Sequence, residues 1–130
     1  MMRTIKNEKP LVYSCSGCSN AAQMANYLAV QLDRMGIAEM SCIAGVGGNV
    51  KTLVRTALSG RRIIAIDGCP LACTKACLGN HLIKPSVYFD LTELGVKKSG
   101  HIDFDKQQAA EILKFIEMHF NHVNKADHTQ

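Results

Sequence analysis

The stretch Arg62-Ile63-Ile64-Ala65-Ile66-Asp67-Gly68-Cys69-Pro70 decides how this chain folds. Ile63 to Ile66 is an unbroken apolar run, rich in β-branched side chains and too short for a core helix. An alternating pattern would mark a strand with one wet face. An unbroken run marks a strand covered on both faces, as in a parallel sheet. Asp67-Gly68 ends the strand, and Pro70 suits the first turn of a helix, where its missing N–H costs nothing. Cys69 is then the expected N-cap of a helix running to about Leu78, with Gly79-Asn80 as its stop.

Upstream, Leu11 to Ser14 reads as a first strand, bounded by Pro10 and Cys15. Ser16 to Ser19 reads as loop, with Asn20 as N-cap of the next helix. Ala21, Met24, Ala25, Leu28, Ala29, Leu32 and Met35 follow at spacings of three and four, one buried helix face. Gly36 fits the C′ position. Ala38 to Ile43 reads as a second, weaker strand, interrupted by Glu39 and Ser41. Gly45-Val46-Gly47-Gly48 reads as a turn before a helix from about Val50 to Leu58, closed by Gly60. It lacks the Lys-Ser/Thr of a P-loop and does not match the dinucleotide fingerprint.

Downstream, Val87 to Leu91 is the fourth strand and Thr92 to Gly100 reads as loop. Asp105 and Gln108 form a capping-box pattern. The helix they open buries Ala109, Ile112, Leu113, Ile116 and Phe120. Residues 121–130 read as a frayed tail. The strand–helix alternation predicts a small three-layer α/β domain spanning residues 1–130. It has a mostly parallel four-stranded sheet with helices on both faces. At 130 residues a chain buries roughly two-thirds of its unfolded surface, so its core does not need metal or disulfides to form.

The formal net charge is +4 and aromatics make up 5% of the chain. No basic run is interleaved with aromatics, which argues against a nucleic-acid partner. No apolar run approaches the ~20 residues of a membrane span. Charges at Arg3, Lys6, Glu8 and Lys9 stand where a signal peptide is apolar. A cytoplasmic location follows as the expectation, and in that compartment clustered cysteines read as metal ligands or redox groups rather than disulfides.

The cysteines fall into two groups. Cys15-Ser16-Gly17-Cys18 follows the first strand, and Cys69-Pro70-Leu71-Ala72-Cys73 follows the third. Ligands of open parallel sheets bind beyond the carboxyl ends of the strands, where strand order reverses, so topology brings the two groups together. Zinc held by four thiolates is tetrahedral, and Cys15, Cys18, Cys69 and Cys73 supply four. The rival readings are a redox couple or metal-dependent enzyme built on Cys15, Cys18 and Cys69, and unliganded structural cysteines. An iron–sulfur cluster is disfavoured, because the ferredoxin Cys-x2-Cys-x2-Cys run is missing. Cys42 reads either as a buried strand residue or as an accessory thiol facing the cluster. Cys77 reads as a core residue. Asp67 reads as a turn residue or as an acceptor supporting the ligands. His81 reads as a loop residue, and His119 with His122 as a solvated helix face.

Cys15-Ser-Gly-Cys18, Gly45-Val46-Gly47-Gly48 and Asp67-Gly68-Cys69-Pro70-Leu71-Ala72-Cys73 occur in the order of the DGC-domain family, which the chain resembles from about Leu11 to Val96. That family is named for its Asp-Gly-Cys motif and is linked to zinc through its cysteines. The resemblance implies zinc as cofactor and matches Cys15, Cys18, Cys42, Cys69 and Cys73. It implies no particular reaction, substrate or partner, and Cys77 is an addition of this sequence.

Overall fold

The structure, a computed structural model, describes residues 8–128, with side chains through Phe120. Four strands form one parallel sheet: β1 (Leu11–Ser14), β2 (Glu39–Met40), β3 (Ile63–Asp67) and β4 (Val87–Asp90), in the order β2-β1-β3-β4. Register runs Leu11 opposite Glu39 on one side and Ile63 on the other, then Ile64 opposite Val87. The helices are α1 (Asn20–Arg34), α2 (Ile43–Gly47), α3 (Lys51–Ala57), α4 (Cys73–Gly79) and α5 (Lys106–His128). This is the expected α/β architecture, and every strand pair is parallel.

Alternate residues of the central strands feed two cores, as the pleat requires. Val12, Ile64, Ile66 and Phe89 pack with α1 and α5 through Met24, Leu28, Leu32, Ile112 and Ile116. Leu11, Tyr13, Ile63 and Ala65 pack the other way, against Val46 of α2, Ala57 of α3 and Leu78 of α4. All of β1 and β3 is buried, which is why their sequences carry no polar alternation. The arrangement is a three-layer sandwich with α1 and α5 on one face and α2, α3 and α4 on the other.

Several boundaries differ from the sequence expectation, each for a local reason. Ser19, not Asn20, caps α1: its hydroxyl accepts from the Ala22 amide at 3.1 Å. β2 pairs over two residues only. The chain turns at Ser41, and Cys42 caps α2, its Sγ accepting from Gly45 N at 3.4 Å. The glycine-rich run read as a turn is therefore mostly helix. Its helix packs on α4 so closely that a Cβ on Gly47 would lie 2.9 Å from Cys77 Sγ. Leu91 leaves the fourth strand to open a 3-10 turn over Leu91–Leu94. Asp105 does cap α5, accepting from Gln108 N at 3.0 Å, while the Gln108 side chain goes to the Gly95 carbonyl at 3.2 Å. The α5 backbone stays helical to His128, past Asn121 where fraying was expected. The side chains of 121–130, His122 among them, lie outside the described residues.

Candidate cysteine site at the carboxyl edge

Strand order reverses between β1 and β3: the chain leaves β1 toward β2 on one side and returns to β3 on the other. Cys15 is the residue after β1, and Gly68-Cys69 follow β3, so the two groups emerge side by side at this edge. The Gly68 amide donates to Cys15 Sγ at 3.2 Å. Gly68 is buried against the first turn of α1, where a Cβ would stand 2.7 Å from the Ala21 carbonyl carbon and 2.8 Å from Ala22 N. Only a residue without a side chain lets the loop pass this close.

Asp67 is 1% exposed. Its carboxylate accepts from Thr74 N at 2.8 Å, from Lys75 N at 3.2 Å and from the Tyr88 hydroxyl at 2.9 Å. The first two are free amides of the opening turn of α4, so Asp67 caps that helix from the end of a strand. It is more than a turn residue, because it fixes where α4 begins. Burial, then the Asp67 hydrogen bond, hold the Tyr88 phenol well above its usual ionisation range. Lys75 Nζ lies 4.8 Å from the centre of the Tyr88 ring, within cation–π range.

The α4 boundary corrects the sequence expectation. Cys69 is not an N-cap, and Cys69 and Cys73 do not share a helix face. Cys69 to Ala72 is a turn, closed by Ala72 N donating to the Cys69 carbonyl at 3.1 Å. Pro70 takes the second position of that turn, which its fixed φ suits equally well. Ala72 is left-handed (φ 53°, ψ 49°) and precedes the helix without a side-chain cap of its own. Cys73 is the first helical residue and Cys77 lies one turn on.

Cys15 and Cys77 both lie near enough to Asp67 and Cys73 to feel their charge. Burial pushes the Cys15 thiol up to about 11; the Gly68 amide opposes the rise, and the nearby charges of Asp67, Cys73 and Cys69 add to it. Cys77 is also raised, first by burial and then by Cys73 and Asp67. Cys77 is thus half-buried between Gly47 and the site rather than in the core. Cys18 is exposed in the turn before α1, whose Gly17 carbonyl accepts from Gln23 Nε2. Cys42 is exposed at the N-cap of α2, near Tyr13, and not buried in a strand. His81 belongs elsewhere, its Nε2 lying 3.0 Å from the Val46 carbonyl.

Sequence reasoning missed a cation. Lys98 Nζ lies 3.3 Å from Cys69 Sγ. The segment carrying it is clamped to the start of α1. Asn20 N donates to the Ser99 carbonyl at 3.1 Å, Ser99 N to Asn20 Oδ1 at 2.6 Å and Asn20 Nδ2 to the Lys97 carbonyl at 2.9 Å. No local signal could reveal a contact across 29 residues between a lysine and a cysteine.

The donor set is soft sulfur, suited to a thiophilic metal. The Ser14 and Thr74 hydroxyls, each next to a site cysteine, are buried without a hydrogen-bond partner. Among the described residues, however, no three His, Cys, Asp or Glu side chains stand close enough together to ligate one ion. The chemistry fits a metal; the thiols neighbour one another without forming a closed shell.

Comparison with known proteins agrees with the motif reading. The sequence model of the DGC domain matches residues 11–116. A protein of Pseudomonas aeruginosa named Anaerobic and virulence modulator AnvM is 56% identical over 109 residues, 84% of this chain and 82% of the relative. No solved structure matches the chain. The Asp67-Gly68-Cys69 corner therefore sits within a match that spans both cysteine groups and the whole sheet, and the chain belongs to the DGC domain family.

Proposed function

We propose that the chain binds a thiophilic metal, zinc first among them, through Cys15, Cys18, Cys69 and Cys73 at the carboxyl edge of the sheet, in the cytoplasm. The observation that carries the proposal is the Gly68 amide bond to Cys15 Sγ, which brings the Cys-x-x-Cys turn against the Asp-Gly-Cys corner where strand order reverses. A buried thiol resists ionisation, and a divalent cation reverses that preference by taking the thiolate as ligand. The Gly68 N–H already points at the Cys15 sulfur and supports the anionic form. Asp67 serves this site indirectly, by holding Cys73 at the head of α4. Cys42 is the accessory thiol, outside the four.

Four thiolates fill the shell of zinc, and filled shells suit structural, carrier or sensing roles. The name of the P. aeruginosa relative describes a modulator tied to anaerobic conditions. A thiol-bound metal suits such a role, because its ligands hold metal only while reduced. No helix among the described residues is long and apolar enough to cross a membrane.

The redox or enzymatic alternative using Cys15, Cys18 and Cys69 needs an activated thiolate near neutral pH. Burial drives Cys15 the opposite way. Metal analysis of protein purified without oxygen decides between metal binding and metal-free thiol redox chemistry. The expected result is one zinc per chain, lost in Cys69→Ser. Metal-free protein that also fails to take up added zinc overturns the proposal.

A further inference from the structure

A second candidate site lies along α3 and the turn that follows α4. An open groove of about 540 Å³ is lined by Asn49, Lys51, Val54, Arg55, Leu58 and His81, with Ser59 at its end. This volume falls within the usual range of small-ligand sites. Lys51, Val54, Arg55 and Leu58 stand at positions i, i+3, i+4 and i+7, so they form one stripe along α3 and its C-cap,. The stripe alternates cation and apolar side chain over about 10 Å. Leu58 is 57% exposed, so its side chain is open to an apolar part of a ligand.

Two observations say which ligand charge suits the groove. Among the described residues, Arg34 pairs with Asp33, Arg61 pairs with Glu39, and Arg62 stacks over Phe120. Arg55 has no such partner among those residues, nor has Lys51. The sequence of this layer also carries almost no counter-charge of its own. Between Glu39 and Asp90 the only carboxylate is Asp67, and Asp67 is buried under α4. The α2–α3–α4 layer therefore presents lysine and arginine to solvent with no exposed acid of its own. The opposite wall is fixed by His81, whose ring is tied to the Val46 carbonyl.

We propose that this groove binds a small organic anion with an apolar body, its phosphate or carboxylate head between Lys51 and Arg55 and its body along Val54 and Leu58. The site is independent of the metal reading: none of its lining residues is a cysteine. Arg55 supplies a planar pair of donors and Lys51 a point charge, a combination that grips either head group.

Titration of the full chain with n-octyl phosphate and with octanoate, followed by amide NMR shifts, tests it and ranks the two heads. Binding of at least one probe is expected, with shifts on α3 and the turn around His81. Inorganic phosphate and octanol, which carry only head or only body, should bind about tenfold more weakly or worse. Lys51→Gln with Arg55→Gln should weaken the preferred probe about tenfold, as should Leu58→Ser, while Lys84→Gln leaves it unchanged. All of these side chains are exposed or at the surface, so the variants should melt like the parent. No binding by either probe, shifts that map elsewhere, equal binding of inorganic phosphate alone, or undiminished binding in the double variant would each overturn the proposal.

Discussion

The Gly68 amide donates to Cys15 Sγ at 3.2 Å, across fifty-three residues of sequence and between two adjacent parallel strands. That bond ties the Asp-Gly-Cys corner to the Cys-x-x-Cys turn. It forms because Gly68 lies against the backbone of Ala21 and Ala22. Gly68→Ala should destabilise the fold by about 1–3 kcal/mol, because the Cβ meets rigid helix backbone rather than a side chain that can swing away. Urea unfolding measures this. A loss below the error of the method would show that the corner yields easily.

Asp67 and Tyr88 offer a graded pair. Asp67→Ala removes the acceptor of two helix amides and one half-buried hydroxyl, and should cost about 2–4 kcal/mol. Tyr88→Phe removes one of the three bonds and should cost about 1 kcal/mol. Equal losses in denaturant midpoint would mean that the helix cap contributes little.

Thiol reactivity should separate the cysteines. Only the thiolate is alkylated, and Cys15 is pushed up to about 11,. In metal-free protein near pH 7.5, iodoacetamide should therefore label exposed Cys18, Cys42 and Cys73 well before Cys15. The Cys15 rate should climb about tenfold per pH unit toward its raised value. Peptide mapping by mass spectrometry reads each site. Fast labelling of Cys15 at neutral pH would contradict its burial and revive the redox alternative.

Ala72 occupies left-handed backbone immediately before α4. Its strain is of order 1 kcal/mol. Ala72→Gly should be neutral or mildly stabilising, and Ala72→Val should lose about 1–2 kcal/mol, since a β-branched residue is least tolerated at positive φ. Thermal melts of the two variants should move in opposite directions or, for glycine, not at all.

Asp33 is held below the usual carboxylate range, chiefly by the Met40 amide that donates to it at 2.8 Å. A carboxyl with a lowered folded-state pKa stabilises the fold above its unfolded pKa and loses that effect as pH falls through the folded value. Asp33→Ala should thus flatten the decline in stability on the acid side of about pH 4. Denaturation midpoints at a series of pH values check the slope, and identical slopes would remove Asp33 from the account.

The parts of the fold written in local pattern were legible in advance: the apolar runs of β1 and β3, the three–four spacing of α1, and the Asp105 cap. What escaped depends on partners distant in sequence. The glycine-rich run becomes helix because Cys42 caps it and α4 packs on Gly47. α4 begins at Cys73, not at Pro70, because its cap comes from Asp67 on a strand. Proline suits a turn and a helix start alike, so the local sequence around Pro70 cannot choose. That the segments after β1 and β3 adjoin, as the Gly68–Cys15 bond shows, was predictable from strand order; the Lys98 clamp, which depends on Asn20 reaching Ser99, was not.

The capping of α4 by Asp67 also makes the cysteine turn a spacer of fixed count. One end is set by the last residue of a buried strand and the other by two amides gripped by that same residue's carboxylate. Adding or removing a single residue between Gly68 and Cys73 would rotate the helix away from its cap as well as displace a thiol. Substitution at exposed Leu71, at the tip of this span, changes neither anchor. The turn should therefore be free to vary at Leu71 and closed to variation in length.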